Sequence, residues 1–207
     1  MIVPGNLFVI AAPSGTGKTT LVKKLVESIP NITVSISHTT RPKRPNEIDN
    51  VNYHFIDTET FKKMTAHGDF LEHAVVFNNL YGTSRSWVEQ TLARGIDVIL
   101  EIDWQGCQQI QKLFPSCIAI YVLPPSLKDL AERLVSRNQD KPEIIQLRLA
   151  DVKKTLNHIH EYDFMVVNDN FENAVSELKT IVLAERLSQQ QQVLRLTKLL
   201  DELTSTT

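Results

Sequence analysis

The chain has 207 residues, 42% of them apolar and 22% charged, and its 22 Lys and Arg against 24 Asp and Glu give a net charge of -2. Such a length and composition suit one sizeable globular domain with room for small inserted lobes, and the near-neutral balance gives no electrostatic reason to expect nucleic acid as a partner. Two cysteines, Cys107 and Cys117, are too few for the disulfide framework of a secreted scaffold. The first residues carry no basic lead, and their apolar run is too short to span a membrane, so the expectation is a soluble, cytoplasmic protein without membrane contact.

In chain order, the apolar run Leu7 to Ala11 predicts a strand. It leads into Ala12-Pro13-Ser14-Gly15-Thr16-Gly17-Lys18-Thr19, a glycine-rich loop in which backbone N–H groups can turn around an anion, Lys18 can reach outer phosphates and the Thr19 hydroxyl can sit on a magnesium ion. The loop is expected to bind a nucleoside triphosphate, although Ala12 replaces the first glycine of the general pattern. Leu21, Val22, Leu25, Val26 and Ile29 then repeat at helical spacing, and Pro30 stops that helix. Further strand-length runs at 32–36, 98–102, 118–123 and 164–167 alternate with helical segments, which predicts an α/β fold with a parallel sheet.

Two stretches interrupt that rhythm. From Tyr53 to Phe77 the pattern is short strands, at 53–56 and 70–77, around one small helix, suggesting a separate lobe. From Leu127 to His160 two helices are expected, broken between Gln139 and Pro142. The segment from Phe171 to Leu203 reads as one long helix, or two, through a glutamine run. Its leucine stripe, Leu196, Leu199, Leu200 and Leu203, is expected to pack on the body, with pairing to a second copy of the chain as the alternative.

Several groups carry chemistry. The apolar strand around Val98 ends in Glu101 and Asp103, either of which could stand near magnesium. Ser37 to Pro45 packs three cations and three hydroxyls into nine residues, and Arg41 and Arg44 could clamp a phosphate through forked N–H pairs. Arg133 and Arg137 share a helix face, and Arg148 follows on the next helix, so a flap could deliver guanidinium groups over a triphosphate. Guanine presents two adjacent donors beside an acceptor oxygen, which suits Glu72 with Thr83. An ionised Glu72 would disfavour adenine, whose N1 is an acceptor, by as much as ~10^4-fold. The histidines form no ligand cluster, and Trp87 and Trp104 read as core or helix-start residues.

Taken together, the phosphate loop, Ser37 to Arg44, Tyr53, Phe70-Leu71-Glu72, Tyr81-Gly82-Thr83, Ile102-Asp103-Trp104-Gln105-Gly106, Arg133, Arg137 and Val167-Asn168-Asp169 resemble the guanylate kinase family over nearly the whole chain. The resemblance implies a three-layer phosphate-loop NTPase core (1–36, 84–126 and 161–207), a GMP-binding lobe (37–83) and a helical lid (127–160). It implies Mg-assisted transfer of a phosphoryl group from ATP to GMP and dGMP, with Lys18, Arg41, Arg137 and Arg148 as catalytic residues. ATP would be held by Ala12 to Thr20, including Pro13, Ser14, Gly15, Thr16 and Gly17, and by Arg133, Arg137 and Asn168, with Thr19 on magnesium. Ser37, Arg41, Arg44 and Tyr53 would grip the GMP phosphate, and Glu72, Tyr81, Gly82, Thr83 and Asp103 would line the guanine side. Departures from the family pattern are Ala12, Asn46 after Arg44-Pro45, and Ser136 and Asn138 flanking Arg137. Three alternatives share parts of this pattern: a guanylate-kinase-like module that binds proteins, a phosphate-loop kinase for another small acceptor, and a GTPase. The intact phosphate loop, the Glu72 and Thr83 pair and the lack of an Asn-Lys-x-Asp tract weigh against them in turn.

Overall fold

A computed structural model describes residues 2–136 and 142–205. Their elements run β1 (Leu7–Ala11), α1 (Lys18–Ser28), β2 (Ile32–Val34), β3 (His38–Thr39), β4 (His54–Phe55), α2 (Thr58–His67), β5 (Phe70–Val76), β6 (Asn79–Ser84), α3 (Arg85–Ala93) and β7 (Asp97–Leu100). The chain continues through α4 (Trp104–Leu113), β8 (Ile118–Leu123), α5 (Leu127–Ser136), α6 (Pro142–Leu156), a 3-10 turn at Ile159–Glu161, β9 (Phe164–Val167), α7 (Phe171–Arg186), α8 (Gln189–Arg195) and α9 (Thr197–Thr204).

The main sheet has the order β2-β7-β1-β8-β9, and every pairing in it is parallel. All five residues of β1 are buried, which is why this strand reads as a continuous apolar run: helices cover both faces of a parallel sheet. On one face α1 and α7 lay Leu21, Val22, Leu25, Leu178 and Val182 against Phe8, Ile10 and Ile120. On the other face α3 and α4 lay Val88, Leu92, Cys107 and Ile110 against Leu7, Val9 and Leu100. The three-layer α/β core is therefore as expected, and each fully buried leucine or valine contributes about 2 kcal/mol of transfer free energy.

A second sheet, β4-β3-β6-β5, stands beside the core. Its β5–β6 hairpin closes through Phe77 and Asn78, both at positive φ (45° and 62°), the signature of a type I′ turn whose twist matches the flanking strands. Helices α5 and α6 pack through Leu130, Leu134 and Val152. Among the described residues no helix is long and apolar enough to cross a membrane.

Three sequence expectations need correction. The C-terminal segment is three helices, broken where Ser188 caps α8 by accepting from the Gln191 N–H and again at Leu196. Its leucine stripe does not pack on the body: Leu199 and Leu203 are 47% and 67% exposed. In addition, β2 ends at Val34 and β7 spans 97–100 instead of 98–102, because Glu101 and Ile102 leave the sheet toward the phosphate loop.

Candidate active site

The phosphate loop starts where β1 ends and closes on α1 at Gly17, whose φ of 96° only glycine adopts without strain. Space also excludes a side chain there, since a Cβ would lie 2.8 Å from Asn168 Nδ2. Gly15 is likewise left-handed (φ 95°), and a Cβ on it would strike Leu134 of α5 at 2.9 Å. The loop is braced from within by Thr16, whose hydroxyl donates to the Pro13 carbonyl at 2.8 Å. From outside, Asn168 Nδ2 and Arg133 donate to the Thr16 carbonyl at 2.7 and 3.2 Å, and Arg133 also reaches the Asn168 carbonyl at 3.1 Å. Asn168 thus holds the shape of the loop. Beside it opens a cleft of about 360 Å³ lined by Gly17, Thr20, Arg133, Asn168, Asp169 and Phe171, among others.

The Lys18 ammonium lies 3.5 Å from the Ile102 carbonyl. Burial pulls its pKa down, and the charges of Glu101 and Asp103 push back. The Thr19 hydroxyl donates to Glu101 Oε2 at 2.9 Å. Asp103 instead caps α4 by accepting from the Gly106 N–H at 3.0 Å, and it takes the Gln105 carboxamide at 3.0 Å. Of the two acids, Glu101 therefore partners the phosphate loop. The oxygen pair of Thr19 and Glu101 matches the hard donors a magnesium ion prefers.

Arg148 reaches from α6 to the Ser14 hydroxyl, and its guanidinium lies 5.6 Å from the Phe77 ring at the tip of the small-sheet hairpin. One side chain from the helical pair thus touches both the phosphate loop and the small sheet. Arg137 lies outside the described residues.

On the small sheet the basic loop folds over Glu47. Arg41 donates to Glu47 at 2.6 Å and to the Pro42 carbonyl at 2.9 Å, and the Arg44 N–H donates to the second Glu47 oxygen at 2.8 Å. Burial opposes the charge on Glu47, yet the Arg41 hydrogen bond and the Arg44 amide hold its pKa below the ordinary value. The Arg41 guanidinium sits 5.4 Å from the Tyr53 ring. Glu47 escaped the sequence reading, although its place three residues after Arg44 was the available signal. Ser37 is buried ahead of β3, and its carbonyl accepts from the His54 N–H at 2.9 Å.

Further along β5 and β6, Glu72 and Thr83 are both buried, at 3% and 0% exposure, and the Thr83 hydroxyl donates to Glu72 Oε1 at 2.6 Å. The second oxygen of Glu72 lies against Gly106, where a Cβ would be only 2.5 Å away. Burial drives the Glu72 carboxyl up to about 7; the Thr83 hydrogen bond opposes the shift and the Asp103 charge adds to it. Gly82, packed under the Phe70 ring at 2.9 Å from its notional Cβ, leaves no room for a larger residue beside this pair. The structure thereby gathers the described site residues into three groups: the glycine loop at the C-terminal end of the parallel sheet, the Arg41 and Tyr53 cluster around Glu47, and the carboxylate–hydroxyl slot of Glu72 and Thr83 on the small sheet.

A glycine loop between a parallel strand and a helix, a half-buried lysine in it and a second polar slot on an appended sheet define a nucleotide-binding enzyme of the phosphate-loop kinase class. Comparison with known proteins narrows this: the family model described as guanylate kinase matches residues 5–185. The chain belongs to the guanylate kinase family. It is 52% identical over 199 residues to a guanylate kinase of Pseudomonas fluorescens, covering 96% of this chain and 97% of that protein. It is 56% identical over 183 residues to one of Hahella chejuensis, covering 88% of each. The crystal structure of guanylate kinase from Anaplasma phagocytophilum superposes with a TM-score of 0.80 at 30% identity, covering 97% of this chain and 95% of that one.

Proposed function

We propose that the chain transfers the terminal phosphoryl group of ATP to GMP, and to dGMP, giving ADP and GDP or dGDP, as a cytoplasmic step of purine nucleotide metabolism. The observation that carries this reading is the buried Glu72 and Thr83 pair, 2.6 Å apart, walled by Gly106 and Gly82. An ionised carboxylate there accepts from the N1–H and exocyclic amine of guanine, and the hydroxyl serves the neighbouring oxygen. Adenine cannot meet that pattern.

In this reading residues 37–83 form the acceptor lobe, 127–160 the lid, and the rest the core. Lys18 and the amides of Ala12 to Thr20 hold the ATP phosphates, with Arg133 and Asn168 keeping the loop in shape. Ser37, Arg41, Arg44 and Tyr53 take the GMP phosphate, while Tyr81, Gly82 and Asp103 complete the guanine side. Magnesium, held by Thr19 with Glu101 beside it, would supply charge neutralisation between the ATP phosphates. Arg148, already reaching from α6 across Ser14 to Phe77, brings a guanidinium toward the migrating group, and the family resemblance gives Arg137 the same role. The GMP phosphate is ionised near neutral pH and needs no strong base, so positioning and charge neutralisation lower the barrier to in-line transfer.

A coupled assay of ADP release with MgATP and each common nucleoside monophosphate tests the proposal. GMP and dGMP should turn over, and AMP, CMP and UMP should be slower by orders of magnitude. Turnover of AMP comparable to that of GMP would overturn it.

A further inference from the structure

β5 is an outer strand of its sheet, so alternate residues direct backbone groups away from β6 with no strand to meet them. At His73 and Val75 the partner is α4. The Gln109 carboxamide takes both halves of His73: its Oε1 accepts from the His73 N–H at 3.1 Å, and its Nε2 donates to the His73 carbonyl at 2.8 Å. This is what a neighbouring strand would offer. Four residues earlier on the same helix face, Gln105 donates to the Val75 carbonyl at 3.3 Å and to the Asp103 carboxylate at 3.0 Å. Between the two glutamines lies Gly106, against which Glu72 rests. Helix α4 therefore meets the strand at Glu72 itself and at the residues that follow it.

We propose that Gln109 is a positioning residue for guanine recognition: by completing the hydrogen bonds of His73 it fixes where Glu72 sits above Gly106 and beside Asp103. The inference rests on the guanine reading above. His73 is exposed, so water could satisfy its backbone if the glutamine were removed. Water cannot set a distance. A carboxylate that must accept two adjacent donors at once tolerates little displacement, and the adjacent residue of the strand is the point through which helix and acid are kept in register.

The test uses Gln109→Leu and Gln109→Glu in the full chain, the second keeping the acceptor toward the His73 N–H while setting a carboxylate against its carbonyl. Steady-state kinetics should show a GMP KM raised about tenfold, with kcat and the ATP KM within about twofold of the parent. The preference for GMP over IMP, which lacks the exocyclic amine, should fall about tenfold. On a Glu72→Ala background the same substitutions should change the GMP KM by less than about twofold, because the effect runs through the missing carboxylate. Folded variants with unaltered GMP KM and GMP-to-IMP preference would overturn the proposal, as would an effect undiminished on the Glu72→Ala background. A parent chain that does not prefer GMP to IMP would instead remove the guanine reading, and the inference with it.

Discussion

On the phosphate-loop side two cations rest on neutral backbone: Arg133 on the Thr16 and Asn168 carbonyls, Lys18 near that of Ile102. On the small sheet the key cation is already paired with an acid, Arg41 with Glu47 at 2.6 Å, and the key acid is buried with a hydroxyl against it. The first region is shaped by folding, so on the function proposed above it would meet an anion with its geometry already set. The second would, on that function, exchange partners when substrate arrives, a phosphate competing with Glu47 for Arg41 and a purine edge competing with the Thr83 hydroxyl for Glu72. Changes on the first side should therefore appear mainly in kcat, and changes on the second mainly in the GMP KM.

The sharpest way to break that contrast is Lys18→Met, which keeps an unbranched side chain one heavy atom shorter and removes its charge. It should lower kcat by about 10^3-fold with little change in the GMP KM, read by steady-state assay on a variant whose melting curve matches the parent. Near-normal turnover would sink the role given to the lysine. Smaller in effect, Arg41→Ala should raise the GMP KM about 30-fold and leave kcat closer to the parent value. A loss confined to kcat would place Arg41 with the donor side instead.

The smallest expected effect is that of pH. Burial raises the Glu72 carboxyl to about 7, so in the free protein the stability contributed by the neutral form is complete below the ordinary glutamate range and is lost as pH rises through that value. Substrate that needs the ionised form must then expel a proton below about pH 7. The GMP KM should rise about tenfold between about pH 8 and about pH 6. In Glu72→Gln only the slope from the substrate's own phosphate should remain, and an identical slope in both proteins would assign the dependence elsewhere.

Much of this was legible in the chain itself. β1 and β8 fall where their apolar runs end, since a buried parallel strand has no polar alternation to blur it; β9 also matches its apolar run, although it is an edge strand with only Val166 buried. β3 and β6 were not visible as strands: Gly82 has poor strand propensity, and β6 exists because β5 and β3 pair with it on either side, a tertiary fact. The breaks at Ser188 and Leu196 were masked by a glutamine run with good helix propensity. In the site, residues whose chemistry is carried by type, Lys18, Glu72 and Thr83, stood out. Glu47 and Gln109 did not, because each acts through a partner distant in sequence or folded back on it.

Trp104 opens α4 immediately after Asp103, and its indole stacks on the His158 imidazole at 3.9 Å with the planes 7° apart. His158 lies just beyond α6, and a short chain of hydrogen bonds through Glu161 ties it to Gln108. The enzyme therefore carries a built-in optical gauge: an imidazole in face contact quenches indole emission, so separation of the two rings would change the fluorescence as α6 shifts. Replacing the more exposed Trp87 by phenylalanine would leave a single emitter, through which nucleotide binding could be timed in a stopped-flow instrument without any attached dye.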